Sequence, residues 1–353
     1  MNKITIIGSG FSAAISKLLF SEHNPTIISC SNPYFLKKNY IRRKSIECNK
    51  FFLKKAFSYG ILKYELNNVQ LHDRLSLGGH SNIWGGMINT SCLTEKVINL
   101  LKKNKIFLKN LNINKNGYTS NNSNIKQMCD ENGDIFDASK IFLNCENKFL
   151  HSFHTEKNKI KLKIINSKTK DFEIQYTEKL FIGVSLPQLL ELLIRSEYIN
   201  KNVDINLNEY RHRFKYSIQK KIKSYDLNEI IIVKYSFFKI IDHFFGTKTF
   251  KLLNTIKIPM YVDQLFTYHN NKLNLVIDIN SNTIKSSSKK LFGDSIHYCN
   301  LSIDGININK YLSNISNNVY GVSMPFVKQK SPGPISGDII NNILKIDLNR
   351  LNN

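Results

Sequence analysis

Apolar and polar positions change period several times along the chain, and each change predicts an element. Ile4, Thr5, Ile6 and Ile7 form a short, unbroken, largely β-branched run, the pattern of a parallel strand buried on both faces. Gly8-Ser9-Gly10-Phe11-Ser12-Ala13 follows at once, and Ala14 to Phe20 is compatible with a helix. Pro25 to Ser31 reads as a second strand. Residues 100 to 185 read as a variable region with Asn-, Lys- and Ser-rich turns, except for the alternating strand that ends at Ile165. Leu186 to Ser196 is apolar at helical spacing, with Pro187 tolerated in the first turn. Val203 to Leu207 and Glu229 to Val233 predict strands. Pro259 to Asp278 predicts two strands folded about an Asn270-Asn271 turn, a hairpin suited to covering a substrate pocket. Ile339 to Leu348 predicts a last helix.

The first of these elements carries chemistry. Gly8-x-Gly10-x-x-Ala13 is the dinucleotide fingerprint in its proper setting of strand, tight turn and helix start. Gly8 allows the turn, Gly10 lets the backbone approach a pyrophosphate, and Ala13 keeps helix and strand close. The helix N-terminus then faces the anion, with Ser9, Phe11 and Ser12 around it. A secretory signal does not fit, because Gly-Ser-Gly breaks the apolar run and no small-residue cleavage site follows. The second strand ends among Ser29, Cys30 and Ser31, where a dinucleotide fold usually presents a carboxylate to the ribose. Ser29 or Ser31 would then bond the ribose, or Lys37, Lys38, Arg42 and Arg43 would meet a 2′-phosphate. The third reading is that these cations are solvated loop residues.

Composition narrows the class. A chain of 353 residues with 42% hydrophobic and 11% aromatic content is globular and has room for about two domains. No stretch reaches the ~18 uninterrupted apolar residues of a membrane span. The cysteines (Cys30, Cys48, Cys92, Cys129, Cys145, Cys299) are scattered, which excludes a zinc or disulfide framework and suits a reducing cytoplasm. The formal charge of +23 is spread among Asn and Ile along the whole chain, with no basic stripe bearing stacking aromatics. It implies a weak attraction to anionic surfaces and no specific nucleic-acid partner.

Gly78, Gly79, Gly85 and Gly86 bracket Trp84, the chain's only tryptophan, with His80, Ser81 and Asn82 between. Paired glycines permit positive φ and close backbone approach to a ligand, and the indole supplies a flat apolar wall. The fingerprint followed by Gly78-Gly-His-Ser-Asn-Ile-Trp-Gly-Gly86 resembles the glucose–methanol–choline oxidoreductases, whose second FAD motif reads Gly-Gly-(Ser/Thr/Met)-Ser-x-x-Trp or a close variant. The resemblance implies FAD, with Gly78, Gly79, Ser81 and Asn82 against the cofactor and His80 near its ring or pyrophosphate. It also implies an α/β fold: a Rossmann-like FAD-binding domain (1–95, 186–258 and 300–353) with an inserted β-rich α+β substrate domain (96–185 and 259–299). The C-terminal order of a histidine, a strand ending in small residues, a Pro/Gly turn and a helix start is similar to the family's last block. Carried over, His297 is the catalytic base and Pro334 lies in the turn beside the flavin. The family's glycines after that histidine are replaced by Tyr298-Cys299-Asn300, and its second catalytic side chain falls near Gly333-Pro334.

The implied activity is oxidation of an alcohol by hydride transfer to flavin, on a small-molecule or carrier-linked sugar or other alcohol, as in surface-polysaccharide synthesis, with an electron acceptor the sequence does not name. An imidazole with a pKa near ambient pH suits removal of the hydroxyl proton. Two other functions use the same residues: an NAD(P)-dependent reductase built on the same turn, and a flavin-binding protein that has lost catalysis. The His151/His154 pair has no third ligand nearby in sequence and reads as a surface feature rather than a metal site.

Overall fold

The computed structural model describes residues 2–29, 62–66, 77–79, 86–112, 118–142, 148–166, 169, 171–217, 229–235, 261–286, 295–328 and 334–346. Seventeen strands among them form three sheets. The first holds β1 (Asn2–Ile7), β2 (Thr26–Ile28), β8 (Lys148–Glu156), β9 (Lys159–Asn166), β10 (Phe172–Ile182) and β17 (Val319–Gly321). The second holds β3 (Lys63–Leu66), β6 (Tyr118–Ser120), β11 (Val203–Ser217), β12 (Glu229–Tyr235), β13 (Tyr261–Asp278), β14 (Thr283–Ser286), β15 (Ser295–Ile303) and β16 (Ile306–Asn307). A small antiparallel sheet joins β4 (Met87–Asn89), β5 (Phe107–Asn110) and β7 (Ile125–Cys129). The α-helices are α1 (Phe11–Leu19), α2 (Glu95–Lys103), α3 (Leu186–Arg195), α4 (Ile308–Ile315) and α5 (Ser336–Leu344).

The parallel part of the first sheet runs in the order β2, β1, β10, β17. It is buried on both faces, and the alternation shows how. Ile4 and Ile6 of β1 and Phe181 of β10 share a core with Ala13, Ala14 and Ile15 of α1 and Ile339 and Ile340 of α5. Ile7, Leu180 and Ile182 point the other way, into a core with α3, α4 and the second sheet. A strand covered on both sides needs an apolar residue at almost every position, which is why β1 reads as a continuous run. Phe181 packs against Phe20, ring centroids 4.6 Å apart, and stacks on Tyr320 at 5.0 Å.

Two expectations change. Pro259 to Asp278 is not a hairpin: β13 is one strand along β11, and the residues between Tyr268 and Lys272, including Asn270 and Asn271, form a bulge opposite Glu209. Asn-Asn lacks the glycine that a two-residue hairpin turn requires, and a continuous partner strand absorbs the extra residues instead. The strands of 148–182, expected with the substrate region, join the sheet of β1, while β11 and β12 join β13 and β15. Residue 185 itself lies between the end of β10 and the start of α3. β1 needs a partner on each edge, and Thr177–Ile182 supplies one of them.

Glu191 and Arg195 of α3 form a buried ion pair, each side chain 5% exposed. Glu191 Oε1 accepts from the Leu62 N–H at 2.8 Å and Oε2 lies 3.3 Å from Arg195 Nη1, while Arg195 Nε donates to His151 O at 2.8 Å. Glu191→Ala is expected to cost about 3–5 kcal/mol, because it strands a buried guanidinium. Glu191→Ala combined with Arg195→Met is expected to cost less than the single change. Urea unfolding midpoints of the two variants check this.

Candidate functional site

The carboxyl ends of β2, β1, β10 and β17 are tied together one step beyond the strands themselves. The Gly8 N–H donates to Ile28 O at 2.8 Å, the Gly183 N–H to Ile7 O at 2.8 Å, and the Val322 N–H to Ile182 O at 3.0 Å. Ser323 Oγ adds a 2.6 Å bond to Val184 O. Each turn therefore starts at the same level of the sheet, and none has room for bulk. Gly8 has φ +106°, and a Cβ there would lie 2.5 Å from Gly183 O. A Cβ on Gly183 would lie 3.0 Å from Ile7 O and 3.1 Å from Ala13 Cβ. The crevice outside the carboxyl ends of parallel strands is where open α/β sheets bind ligands.

α1 begins directly at this edge. Its cap, Gly10, provides no side-chain hydrogen bond, and its first turn contains no acidic residue. No side-chain cap and no carboxylate compete at this end, where the positive end of the helix dipole favours an anion. α2 and α4, by contrast, are capped by Thr94 and Asn307 side chains. A Cβ on Gly10 would meet no atom within 4 Å, so the space beside this backbone is open. Ser9 and Ser12 are buried in the turn, and Phe11 packs edge-on against Phe136 with centroids 6.3 Å apart.

The second glycine motif arrives at the same place. Gly78 and Gly79 are buried with φ of 81° and 49°, and a Cβ on Gly79 would stand 3.3 Å from Gly10 Cα. The far end of that motif is fixed by Gly86, whose carbonyl accepts from the Met128 N–H at 2.7 Å before β4 begins. α5 is clamped to β4 in turn: Ser336 Oγ donates to Met87 O at 3.1 Å, and a Cβ on Gly337 would lie 2.5 Å from Asn89 O. Pro334 is buried just before this helix. The structure thus brings Gly8, Ser9, Gly10, Phe11, Ser12 and Ala13 together with Gly78 and Gly79.

Ser29, one residue past β2, is 3% exposed, and its hydroxyl has no hydrogen-bond partner among the described residues. It is the residue expected at the ribose, and an unmet buried hydroxyl there is free for a ligand oxygen. His297 lies on β15 opposite Tyr210 of β11, its side chain outside the described residues. Ser31, His80, Ser81, Asn82 and Trp84 also lie outside them, as does the cationic stretch from Lys37 to Arg43. Gly183 and Ser323 were not anticipated. The signal for Gly183 lay in the sequence: an apolar strand, a glycine, then Ser185-Leu186-Pro187 opening a helix, the same order as at Gly8.

No family model and no curated protein matches the sequence. Among solved structures, the chain is similar to the crystal structure of a flavoprotein/dehydrogenase from Cytophaga hutchinsonii, with 8% identity and a TM-score of 0.34 over 97% of this chain and 75% of that one. A likeness at that score fixes neither fold nor function.

Gly8→Ala is expected to destabilise the protein by about 2–5 kcal/mol, from left-handed strain plus collision with the Gly183 carbonyl. Gly305 also has positive φ, but a Cβ there meets nothing within 4 Å. Gly305→Ala is therefore expected to cost only the strain, about 1–2 kcal/mol, in the same denaturation assay. A second expectation concerns Cys92, at the end of α5 that carries Gly337. Burial, with the Asp338 carboxylate adding to it, pushes its thiol up from 9.0 to about 11. The folded chain holds that proton more tightly than the unfolded chain does. The resulting stability is complete below the ordinary thiol pKa and is lost as pH rises from 9.0 through about 11. Thermal melts across that range are expected to fall more steeply for the wild type than for Cys92→Ala.

Proposed function

We propose that the chain is an FAD-dependent oxidoreductase that oxidises an alcohol group, with a sugar or a carrier-linked glycoconjugate as the substrate class. The observation that carries the reading is the contact of the Gly79 turn with Gly10, which sets two ligand-approach turns against one uncapped helix start. In this reading the backbone at the start of α1, with its helix dipole, holds the diphosphate, and the open side of Gly10 gives it room. The Ser29 hydroxyl bonds the adenosine ribose in place of a carboxylate. The Gly78-Gly79 turn and the residues after it, His80, Ser81, Asn82 and Trp84, line the flavin end, with Pro334 and the start of α5 beyond.

Bound flavin supplies a hydride acceptor. The protein's own task is to place the substrate carbon and to take up the hydroxyl proton as hydride departs, and His297 on β15 is the residue proposed for that proton. The electron acceptor that reoxidises the protein is part of the proposal only as a class: a soluble or membrane carrier.

The purified protein is expected to absorb in the near-ultraviolet and blue and to keep that spectrum through gel filtration. In Gly10→Ala the added methyl meets no protein atom, so circular dichroism and the melting point of the flavin-free protein are expected to stay at wild-type values. Flavin occupancy is expected to fall on the order of tenfold or more, because the methyl fills the space the diphosphate needs. A colourless protein whose melting point rises with NADPH would replace this reading with the nicotinamide one.

A further inference from the structure

The alternation that buries β10 against its neighbours changes character towards its start. Phe172, Ile174 and Tyr176 are 54%, 49% and 39% exposed, three of the five large apolar side chains exposed among the described residues. They form one row. In register beside it, Lys163 faces Ile174 and Lys161 faces Tyr176, and beyond these Ser152 and His154 of β8 pair with the same lysines. Lys159 at the hairpin tip extends the cationic row opposite Glu156. The reverse side of the same strands is spent on the core, where Leu150, Phe153, Ile160, Leu162 and Ile164 pack with the leucines of α3. The exposed row on the outward face belongs to neither core cluster, and a depression of about 340 Å³ opens on that face among Ser152, His154, Glu156, Lys161, Lys163 and Ile174.

We propose that this outer face of β8, β9 and β10 docks the protein on an anionic lipid bilayer, the apolar row entering the interface and the lysine row meeting headgroup phosphates. Its composition is that of an interfacial surface: large apolar side chains flanked by cations on a flat support. Docking is peripheral, since no helix among the described residues is long and apolar enough to cross a membrane. A second copy of the chain is a poor occupant, because Lys159, Lys161 and Lys163 outnumber Glu156, which lies 3.5 Å from Lys161 Nζ, and would meet their own kind. A single-stranded nucleic acid needs open ring faces on which bases stack. Here Lys163 Nζ already sits 4.4 Å over the Phe172 ring, and His151 meets that ring edge-on at 5.5 Å. Ile174, between the two rings, cannot stack at all, but it can enter a lipid interface. Phe172 and Gly183 lie at opposite ends of the same run of chain, so a docked face leaves the carboxyl edge of the sheet uncovered. The proposal stands on this face alone and does not depend on the identity of the cofactor.

The test is co-sedimentation of the full chain with vesicles of equimolar phosphatidylcholine and phosphatidylserine, beside vesicles of phosphatidylcholine alone. Because the chain is basic throughout, matched variants decide. Lys161→Glu/Lys163→Glu is expected to weaken binding to the anionic vesicles by about thirtyfold, and Lys102→Glu/Lys103→Glu on α2, the same charge change elsewhere, by less than about threefold. Phe172→Ser/Ile174→Ser, which alters no charge, is expected to lower binding by about tenfold or more. Melting curves confirm that each variant is folded; should the serine pair melt early, Phe172→Asn alone, half-exposed, takes its place. Equal losses from the two lysine pairs would overturn the proposal in favour of diffuse attraction. So would undiminished binding by the apolar variant, a dimer that the apolar variant dissociates, or preference for a single-stranded oligonucleotide lost on Lys161→Glu/Lys163→Glu.

Discussion

The spacing between β1, β10 and α1 is set by atoms that are missing. Gly8 and Gly183 press backbone to backbone, and a methyl on either would reach the other's neighbourhood at 2.5–3.0 Å. Ala13 is the largest residue the helix can offer there, since the Cβ of a substituted Gly183 would already lie 3.1 Å from it. Interiors are packed too tightly to yield by such distances without moving elements. The positive φ of Gly8 turns the chain out of the strand, and the helix begins three residues later at Phe11. This close approach is what allows the turns after three parallel strands to donate hydrogen bonds at one level. A slip at Gly8 would therefore be felt along the entire carboxyl edge of the sheet.

The site follows from that edge, not from any single strong side chain. α1 starts without a cap, the open flank of Gly10 faces it, and Gly79 closes on Gly10 from another direction. In the proposed reading backbone groups hold the diphosphate, whose oxygens accept from N–H donors and need little else. The supporting elements are arranged to keep the backbone in place: β4 leaves the glycine loop and is gripped by Ser336 and Gly337 of α5. The N-terminal turn and the last helix, far apart in sequence, meet through one short strand.

Local chemistry was legible and distant pairing was not. Ile4–Ile7, the two glycines and Ala13 fix their own conformation by sterics, so strand, turn and helix could be read directly from them. The amphipathic Leu186–Arg195 helix was equally plain, because its stripe and its proline are local. β10 was hidden inside a stretch that looked variable. Its alternating first half obeys an antiparallel partner, its apolar second half obeys two parallel ones, and neither partner is near in sequence. Gly183 was missed with it, since its need for a missing Cβ arises only when β1 and α1 arrive. The Asn270-Asn271 turn failed for the opposite reason: a local turn signal without glycine gave way to a long partner strand. Of the site, the fingerprint and Gly78-Gly79 could be read from local residues, while their convergence was expected only through the family resemblance, and the approach of Gly79 to Gly10 is what the structure shows of it.

In the proposed reading, Ser29 at the ribose end and the diphosphate turn beside it show how an unusual residue choice follows from the same physics. A carboxylate at the end of the second strand accepts two hydrogen bonds from a ribose, at the cost of burying a charge when the ligand is absent. Ser29 is nearly fully buried, so an aspartate there would face that cost with no cation among the described residues bonded to it. A hydroxyl is cheaper to bury: left unpaired, it costs about 1–3 kcal/mol. It can also both donate and accept, so it matches a ribose hydroxyl without a change of charge. The grip is weaker, and in the proposed reading a ligand oxygen meets the Ser29 hydroxyl that no described residue bonds. Binding at the diphosphate turn and satisfaction of Ser29 then act in the same direction, because Gly8 and Ile28 share the hydrogen bond that holds both strand ends at one level.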